Sequence, residues 1–178
     1  MSKKWDQFLT SIRRLWMRLD LTGARKRIHW TAVRSCIRRS KATLTCAVVE
    51  NLNPPSILKS LEFLSRCPNL EYLDVRVPVK ANELYDLFKN SKSLKTLITF
   101  RDIVVPHEFV LKFLTDLPLI ERVEIFNTRS SPLRNMQWPQ TLPNLKHLTI
   151  CAKEMMVSDI NSVYIPGISD VLSFLFYL

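Results

Sequence analysis

An α/β fold with a parallel sheet built from repeated units is predicted by three observations on this 178-residue chain. First, one apolar template occurs six times: Trp16-x-x-Leu19-x-Leu21, Leu44-x-x-Ala47-x-Val49, Leu70-x-x-Leu73-x-Val75, Leu94-x-x-Leu97-x-Thr99, Ile120-x-x-Val123-x-Ile125 and Leu145-x-x-Leu148-x-Ile150. Second, its first positions are 28, 26, 24, 26 and 25 residues apart. Third, the stretches between templates carry apolar residues at helical spacing. The alternation that ends each template suits a strand with every second side chain turned inward. Parallel strands need a crossover between them, and the helical stretches supply it.

The elements follow in order. Val33, Cys36 and Ile37 predict a helix over about 31–39. Ile57, Leu58, Leu61 and Leu64 predict a second after Pro54-Pro55, ending near Cys67-Pro68. Leu84, Leu87 and Phe88 mark a third after Asn82-Glu83. Pro106 opens a fourth, where its missing N–H is harmless, with Val110, Phe113, Leu114 and Leu117 inward. The connection 127–141 holds Ser130-Ser131-Pro132 and Trp138-Pro139 and reads as an irregular loop or a single helical turn. Leu172-x-x-Leu175-x-Tyr177 fits the template again at an interval of 27 residues, with no polar segment after it, so an apolar edge is expected there. Period and pattern are those of a leucine-rich repeat, which runs at 20–29 residues with an L-x-x-L-x-L core. The predicted architecture is therefore a leucine-rich-repeat solenoid of about six repeats over 16–178, strands on the concave side and helices on the convex side.

Composition narrows the function. With 47% hydrophobic residues the chain can fill one continuous core. The oily stretch 163–178 is broken by Pro166, Gly167 and Asp170, so no membrane span is expected. The opening Met-Ser-Lys-Lys-Trp-Asp has no signal-peptide core, and an intracellular location, nuclear or cytoplasmic, is expected. Cys36, Cys46, Cys67 and Cys151 form no C-x-x-C pair and share no paired spacing with His29, His107 and His147. They read as small buried thiols in a reducing compartment, with no metal site. Only Gly23 and Gly167 are glycines, which removes the phosphate-cradling loops, and neither G-x-S-x-G nor H-E-x-x-H occurs. No catalytic residue and no cofactor is expected, and the chain reads as a binding protein.

Residues 1–15 fall outside the repeats. Trp5, Phe8, Leu9 and Ile12 lie at i, i+3, i+4 and i+7, one stripe of an amphipathic helix expected to cap the open end of the first repeat. The text from Ser2-Lys-Lys-Trp-Asp-Gln-Phe-Leu9 to Leu15-Trp16-Met-Arg-Leu19-Asp-Leu21 resembles the later part of an F-box. Leu19-Asp-Leu-Thr-Gly-Ala-Arg-Lys26, Cys36-Ile-Arg-Arg-Ser-Lys41 and the repeats Ser65-Arg-Cys-Pro-Asn-Leu-Glu-Tyr-Leu-Asp-Val75 and Leu142-Pro-Asn-Leu-Lys-His-Leu148 are similar to fungal F-box proteins with leucine-rich repeats. The resemblance implies a substrate receptor of an SCF-type ubiquitin ligase, acting in ubiquitin-dependent protein degradation and holding a protein substrate on its concave face. It also makes 1–15 the remnant of the last F-box helix, with Trp5, Phe8, Leu9 and Ile12 facing the adaptor. The apolar opening helix of the F-box is absent from this sequence. Weak or no docking to a Skp1-type adaptor is expected on that account, and a truncated, non-functional paralogue is the deflationary alternative.

Charge and strand register single out the candidate sites. Residues 1–50 carry a balance of +9 and the remainder +1. Arg25, Lys26, Arg27, Arg34, Arg38, Arg39 and Lys41 form the dense basic patch. It reads as a solvated helix face, a contact for nucleic acid, chromatin or an acidic protein, or a nuclear address. With Leu73 and Val75 inward, Tyr72, Asp74 and Arg76 face the concave surface. The same register gives a column of Arg18, Cys46, Tyr72, Thr96, Arg122 and His147. A second holds Asp20, Val48, Asp74, Ile98, Glu124 and Thr149, and a third Thr22, Glu50, Arg76, Phe100, Phe126 and Cys151. Tyr72, Arg76, Phe100, Arg122, Phe126 and His147 are the candidate protein-binding residues, Phe100 and Phe126 standing side by side.

Overall fold

Among the described residues, seven short strands, all parallel, form a single sheet whose spatial order is the chain order. In this computed structural model, residues 13–40, 42–99, 105–128, 142–152 and 172–176 are described. The strands are β1 (Arg18–Asp20), β2 (Cys46–Val49), β3 (Tyr72–Val75), β4 (Thr96–Thr99), β5 (Arg122–Thr128), β6 (His147–Ala152) and β7 (Leu172–Phe176). Among the described residues, four α-helices alternate with the first five strands: α1 (Trp30–Ser40), α2 (Ile57–Ser65), α3 (Ala81–Phe88) and α4 (His107–Asp116). Each helix packs on the next, α1 on α2, α2 on α3 and α3 on α4.

Register explains why the template recurs. Leu19, Ala47, Leu73, Leu97, Val123 and Leu148, the middle residues of the six templates, lie in one row across six strands. Val49, Val75, Thr99, Ile125 and Ile150 form the next inward row. Both rows are buried, and they meet the inner helix faces: Val33 of α1, Leu61 and Leu64 of α2, Leu84 and Phe88 of α3, Val110 and Phe113 of α4. Burying a side chain of this size is worth about 1.5–3 kcal/mol. No repeat has enough such contacts alone, so stability comes from stacking.

The repeat is also written in the backbone. The carbonyl of Met17 accepts the N–H groups of both Thr45 and Cys46. Thr45 does the same for Glu71 and Tyr72, Glu71 for Lys95 and Thr96, Lys95 for Glu121 and Arg122, and Glu121 for Lys146 and His147. Five successive steps thus use one geometry. The approach to β3, β5 and β6 is set by a tight turn. Leu70, Ile120 and Leu145 donate their N–H groups to Cys67, Leu117 and Leu142, with Pro68, Pro118 and Pro143 in the second position, where proline's φ is already that of the turn. Side chains tie neighbouring turns together: Asn69 Nδ2 donates to the Ala42 carbonyl at 2.7 Å and Asn144 Nδ2 to the Pro118 carbonyl at 2.8 Å.

Two local signals place the later helices. The Glu83 carboxylate accepts the Lys80 N–H at 3.3 Å, at the start of α3. Pro106, at φ −60°, precedes α4 with its ring angle already suitable.

The structure corrects the end of the chain. Leu172, not Leu175, lies opposite Leu148, and Phe174 lies opposite Ile150, three residues earlier than the template alignment placed them. Leu172-x-Phe174 alternates as a strand should, so the pattern alone admitted either register. At the other edge, a cavity of about 80 Å³ opens beside β1, lined by Leu15, Trp16, Arg18, Leu19, Cys36, Ile37 and Leu44. The stripe Trp5, Phe8, Leu9 and Ile12 expected to cap this end lies outside the described residues, as does most of the connection 127–141.

Candidate functional site

With the described helices on one face, the side chains that alternate with the core rows point to the opposite face of the sheet. Arg18, Cys46, Tyr72, Thr96, Arg122 and His147 form one column on it, in register strand by strand. Asp20, Val48, Asp74, Ile98, Glu124 and Thr149 form the next. Neighbouring residues in a column are about 4.8 Å apart, the strand spacing.

The charges on this face neutralise one another along the strands. Two residues apart on a strand means the same side, so an Arg and an acid flanking one core residue meet. Arg18 Nη2 lies 3.0 Å from Asp20 Oδ2, around Leu19. Arg76 reaches Asp74 Oδ2 with Nη2 at 2.8 Å and Nε at 3.0 Å, and Glu50 Oε2 with Nη1 at 3.6 Å. Arg122 Nε donates to Glu124 Oε1 at 2.7 Å. His147 Nε2 is 3.6 Å from the same Glu124 oxygen and 2.9 Å from Thr149 Oγ1. The acids sit low and the arginines lie over them: the Asp74 side chain is 4% exposed against 39% for Arg76, and Glu124 12% against 50% for Arg122. The face therefore presents guanidinium planes rather than open carboxylates.

Local hydrogen bonds keep Asp20 ionised. The Thr22 hydroxyl and N–H both donate to Asp20, and with Arg18 they hold its carboxyl down at about 2. Tyr72 is half-buried, and burial pushes its hydroxyl up. Asp74, Cys46 and Glu124 reinforce that shift and Arg122 opposes it, so Tyr72 feels the β5 pair across the small Thr96. Asp74 Oδ1 is buried without a hydrogen-bond partner among the described residues.

Of the six residues expected to bind a partner, Arg76 and Arg122 are exposed, and Tyr72, Phe126 and His147 are half-buried. Phe100 lies outside the described residues, so its pairing with Phe126 does too. Between Ile125 and Thr128 the β5–β6 register shifts, and Phe126 no longer keeps the regular column opposite Cys151. The mutual neutralisation was not part of the sequence reading. Its signal is in the text, as Arg18-Leu-Asp20, Asp74-Val-Arg76 and Arg122-Val-Glu124.

A second surface gathers around α1. Arg25, Lys26 and Arg27 are exposed between β1 and α1, and Arg34 and Arg38 are exposed on the helix. Arg39 is half-buried, with its guanidinium 5.8 Å from the centre of the Trp16 ring, and Lys41 lies outside the described residues. Among these cations the sequence offered a single aromatic neighbour, Trp30. The fold adds Phe63 from α2, stacked on Trp30 at 5.9 Å between ring centres and 16° between planes. Arg34 lies over the Phe63 ring at 5.5 Å and Lys59 over the Trp30 ring at 5.2 Å.

Among the described residues, no helix is long and apolar enough to cross a membrane, and no three His, Cys, Asp or Glu side chains converge as a metal would need. Comparison with protein-family models, with curated proteins and with solved structures finds no match to this chain.

Proposed function

We propose that the chain is a leucine-rich-repeat solenoid acting as a protein-interaction module, with the helix-free face of the sheet as its recognition surface. The observation that carries this reading is the in-register column Arg18, Cys46, Tyr72, Thr96, Arg122 and His147, one residue per strand, on a face that none of the described helices covers. Tyr and Arg are the residues through which protein interfaces draw most of their energy. Because each arginine already has its carboxylate, a partner meets flat guanidinium and aromatic surfaces without having to supply a matching charge. The sequence resemblance to F-box receptors gives the role a name: holding a substrate for an SCF-type ubiquitin ligase.

Affinity purification from cells tests the reading with two variants. A Tyr72→Ala/Arg76→Ala/Arg122→Ala chain should lose protein partners that an Arg34→Ala/Arg38→Ala chain retains. An identical partner set for wild type and the open-face variant would overturn it. Recovery of ligase adaptor subunits with the wild-type chain would support the receptor role. With weak or no adaptor docking expected of this sequence, the role is overturned if the captured partners turn over at an unchanged, ubiquitin-independent rate when the chain is removed from the cell.

A further inference from the structure

We propose that the seam between α1 and α2, together with the loop preceding α1, binds nucleic acid through its phosphates, independently of base sequence. The warrant begins with the contrast between the two faces. On the open face every Arg and Asp or Glu of the columns is paired within the sheet. Around α1, Arg25, Lys26, Arg27, Arg34 and Arg38 have no carboxylate partner among the described residues. Unneutralised cations crowded on one surface repel one another, and a polyanion relieves that repulsion.

The helix geometry arranges them. Half-buried Trp30 and exposed Arg34 and Arg38 stand at i, i+4 and i+8, one stripe along α1 that rises about 6 Å per four residues. Lys59 and Phe63, four apart on α2, face that stripe, since Phe63 stacks on Trp30 and Lys59 covers it. The rings steady the cations without consuming their hydrogen-bonding capacity. A guanidinium lying on an aromatic face keeps its in-plane N–H groups, and those are the donors that grip a phosphate. Arg34 on Phe63 is in that position.

The same contacts select among polyanions. Trp30 and Phe63 are stacked on each other and covered by cations, so neither is free to insert into a lipid surface, as membrane-bound amphipathic helices require. Leu58, exposed on α2, lies off the seam, one residue from Lys59 and so about 100° round the helix. For the same reason a base has no open ring to stack on, and readout is confined to the backbone. Cations spread over a loop and two helices suit a partner whose charge is continuous, as in a duplex carrying one charge per about 1.7 Å of its axis.

The test is fluorescence anisotropy of the full 178-residue chain with a labelled mixed-sequence duplex DNA, titrated across salt concentration. Parallel arms use mixed-sequence single-stranded RNA, poly-glutamate and phosphatidylserine vesicles. Wild type should bind nucleic acid with a Kd of about 10⁻⁴–10⁻⁶ M at physiological salt and a log–log salt slope steeper than about −3. Arg34→Ala/Arg38→Ala should weaken binding at least about tenfold and reduce the slope by about 2, with an unchanged melting temperature, while Arg34→Lys/Arg38→Lys retains most of both. Arg122→Ala, a loss of charge on the open face, should leave affinity within about twofold. Binding to either DNA or RNA on these terms supports the proposal and tells which polymer is preferred. It is overturned if neither binds, if Arg122→Ala weakens binding as much as the helix variant does, or if poly-glutamate or vesicles bind more tightly than both.

Discussion

Cys67 shows how a single side chain reports on the packing around it. It follows α2, is 8% exposed, and its Sγ lies 3.5 Å from the Phe63 carbonyl. Burial pushes its thiol from an ordinary 9.0 up to about 11, because the thiolate would lose its water without gaining a partner. The folded protein therefore holds the Cys67 proton more tightly than the unfolded chain does. The stabilisation is complete below pH 9 and is lost as pH rises through about 11. Denaturant titrations at intervals across that window should show stability falling in wild type and falling less in Cys67→Ala. At pH 8 the Cys67 thiol should alkylate only on unfolding, which mass spectrometry after brief iodoacetamide exposure would reveal. Early labelling of folded Cys67 would mean the turn at Pro68 opens freely. Of the cysteines expected to be buried, Cys67 is, whereas Cys36 on a helix flank and Cys46 on the open face of the sheet are only half-buried, and the side chain of Cys151 lies outside the described residues. The pairing of Arg18 with Asp20 and of Arg122 with Glu124 was present in the i, i+2 spacing, and it takes the sheet to show that the pairs cancel instead of inviting a charged partner.

Among the elements, the strands were the most legible and the helix seams the least. Strand register follows from the inward row, because a slip of one residue would turn Leu73 and Leu97 out to solvent. Six middle residues named from the template alone therefore stand opposite one another. Helix–helix contacts carry no such constraint. Trp30 and Phe63 are on different helices, and their stacking depends on how α1 and α2 are rotated about their own axes, which periodicity fixes only to within a face. The seventh strand failed for a related reason: two alternating readings of the same oily segment fit equally, and the spacing to β6 decided between them. The end of α1 has its own signature. Ala42, just beyond it, has φ 68°, in the left-handed region where glycine usually terminates a helix. Its carbonyl is committed to Asn69, and the side chain is exposed, so nothing is lost by removing the methyl. Ala42→Gly should stabilise the protein by about 0.5–1 kcal/mol in urea denaturation, the relief of strain exceeding the added chain entropy. A destabilised variant would show that the cost lies in the unfolded chain.

At the scale of the molecule, the chain has two surfaces of opposite electrical character on one frame. The sheet face balances its own charges, and the surface around α1 leaves Arg25, Lys26, Arg27, Arg34 and Arg38 without carboxylates among the described residues. A ligand of each should answer salt differently, weakly on the sheet and steeply at α1. The frame itself is interchangeable by unit. Leu70 and Leu94 occupy the same template position, and Glu71 and Lys95 offer the same carbonyl to the strand that follows. Excising residues 71–94 should therefore join equivalent points and let Lys95 donate to Thr45 in place of Glu71. The shortened protein should still unfold cooperatively, at a lower temperature, with the circular dichroism of a parallel α/β array. Loss of the folded signal would mean that the repeats are not equivalent. The strictly sequential order of the sheet has a further, mechanical consequence. Each strand is bonded only to its neighbours in the chain, so tension applied to the two ends of the array runs across the strands and acts on one hydrogen-bond row at a time. Under force the molecule should peel in steps, an end repeat first, yielding length gradually where a sheet with interleaved strands would hold and then break.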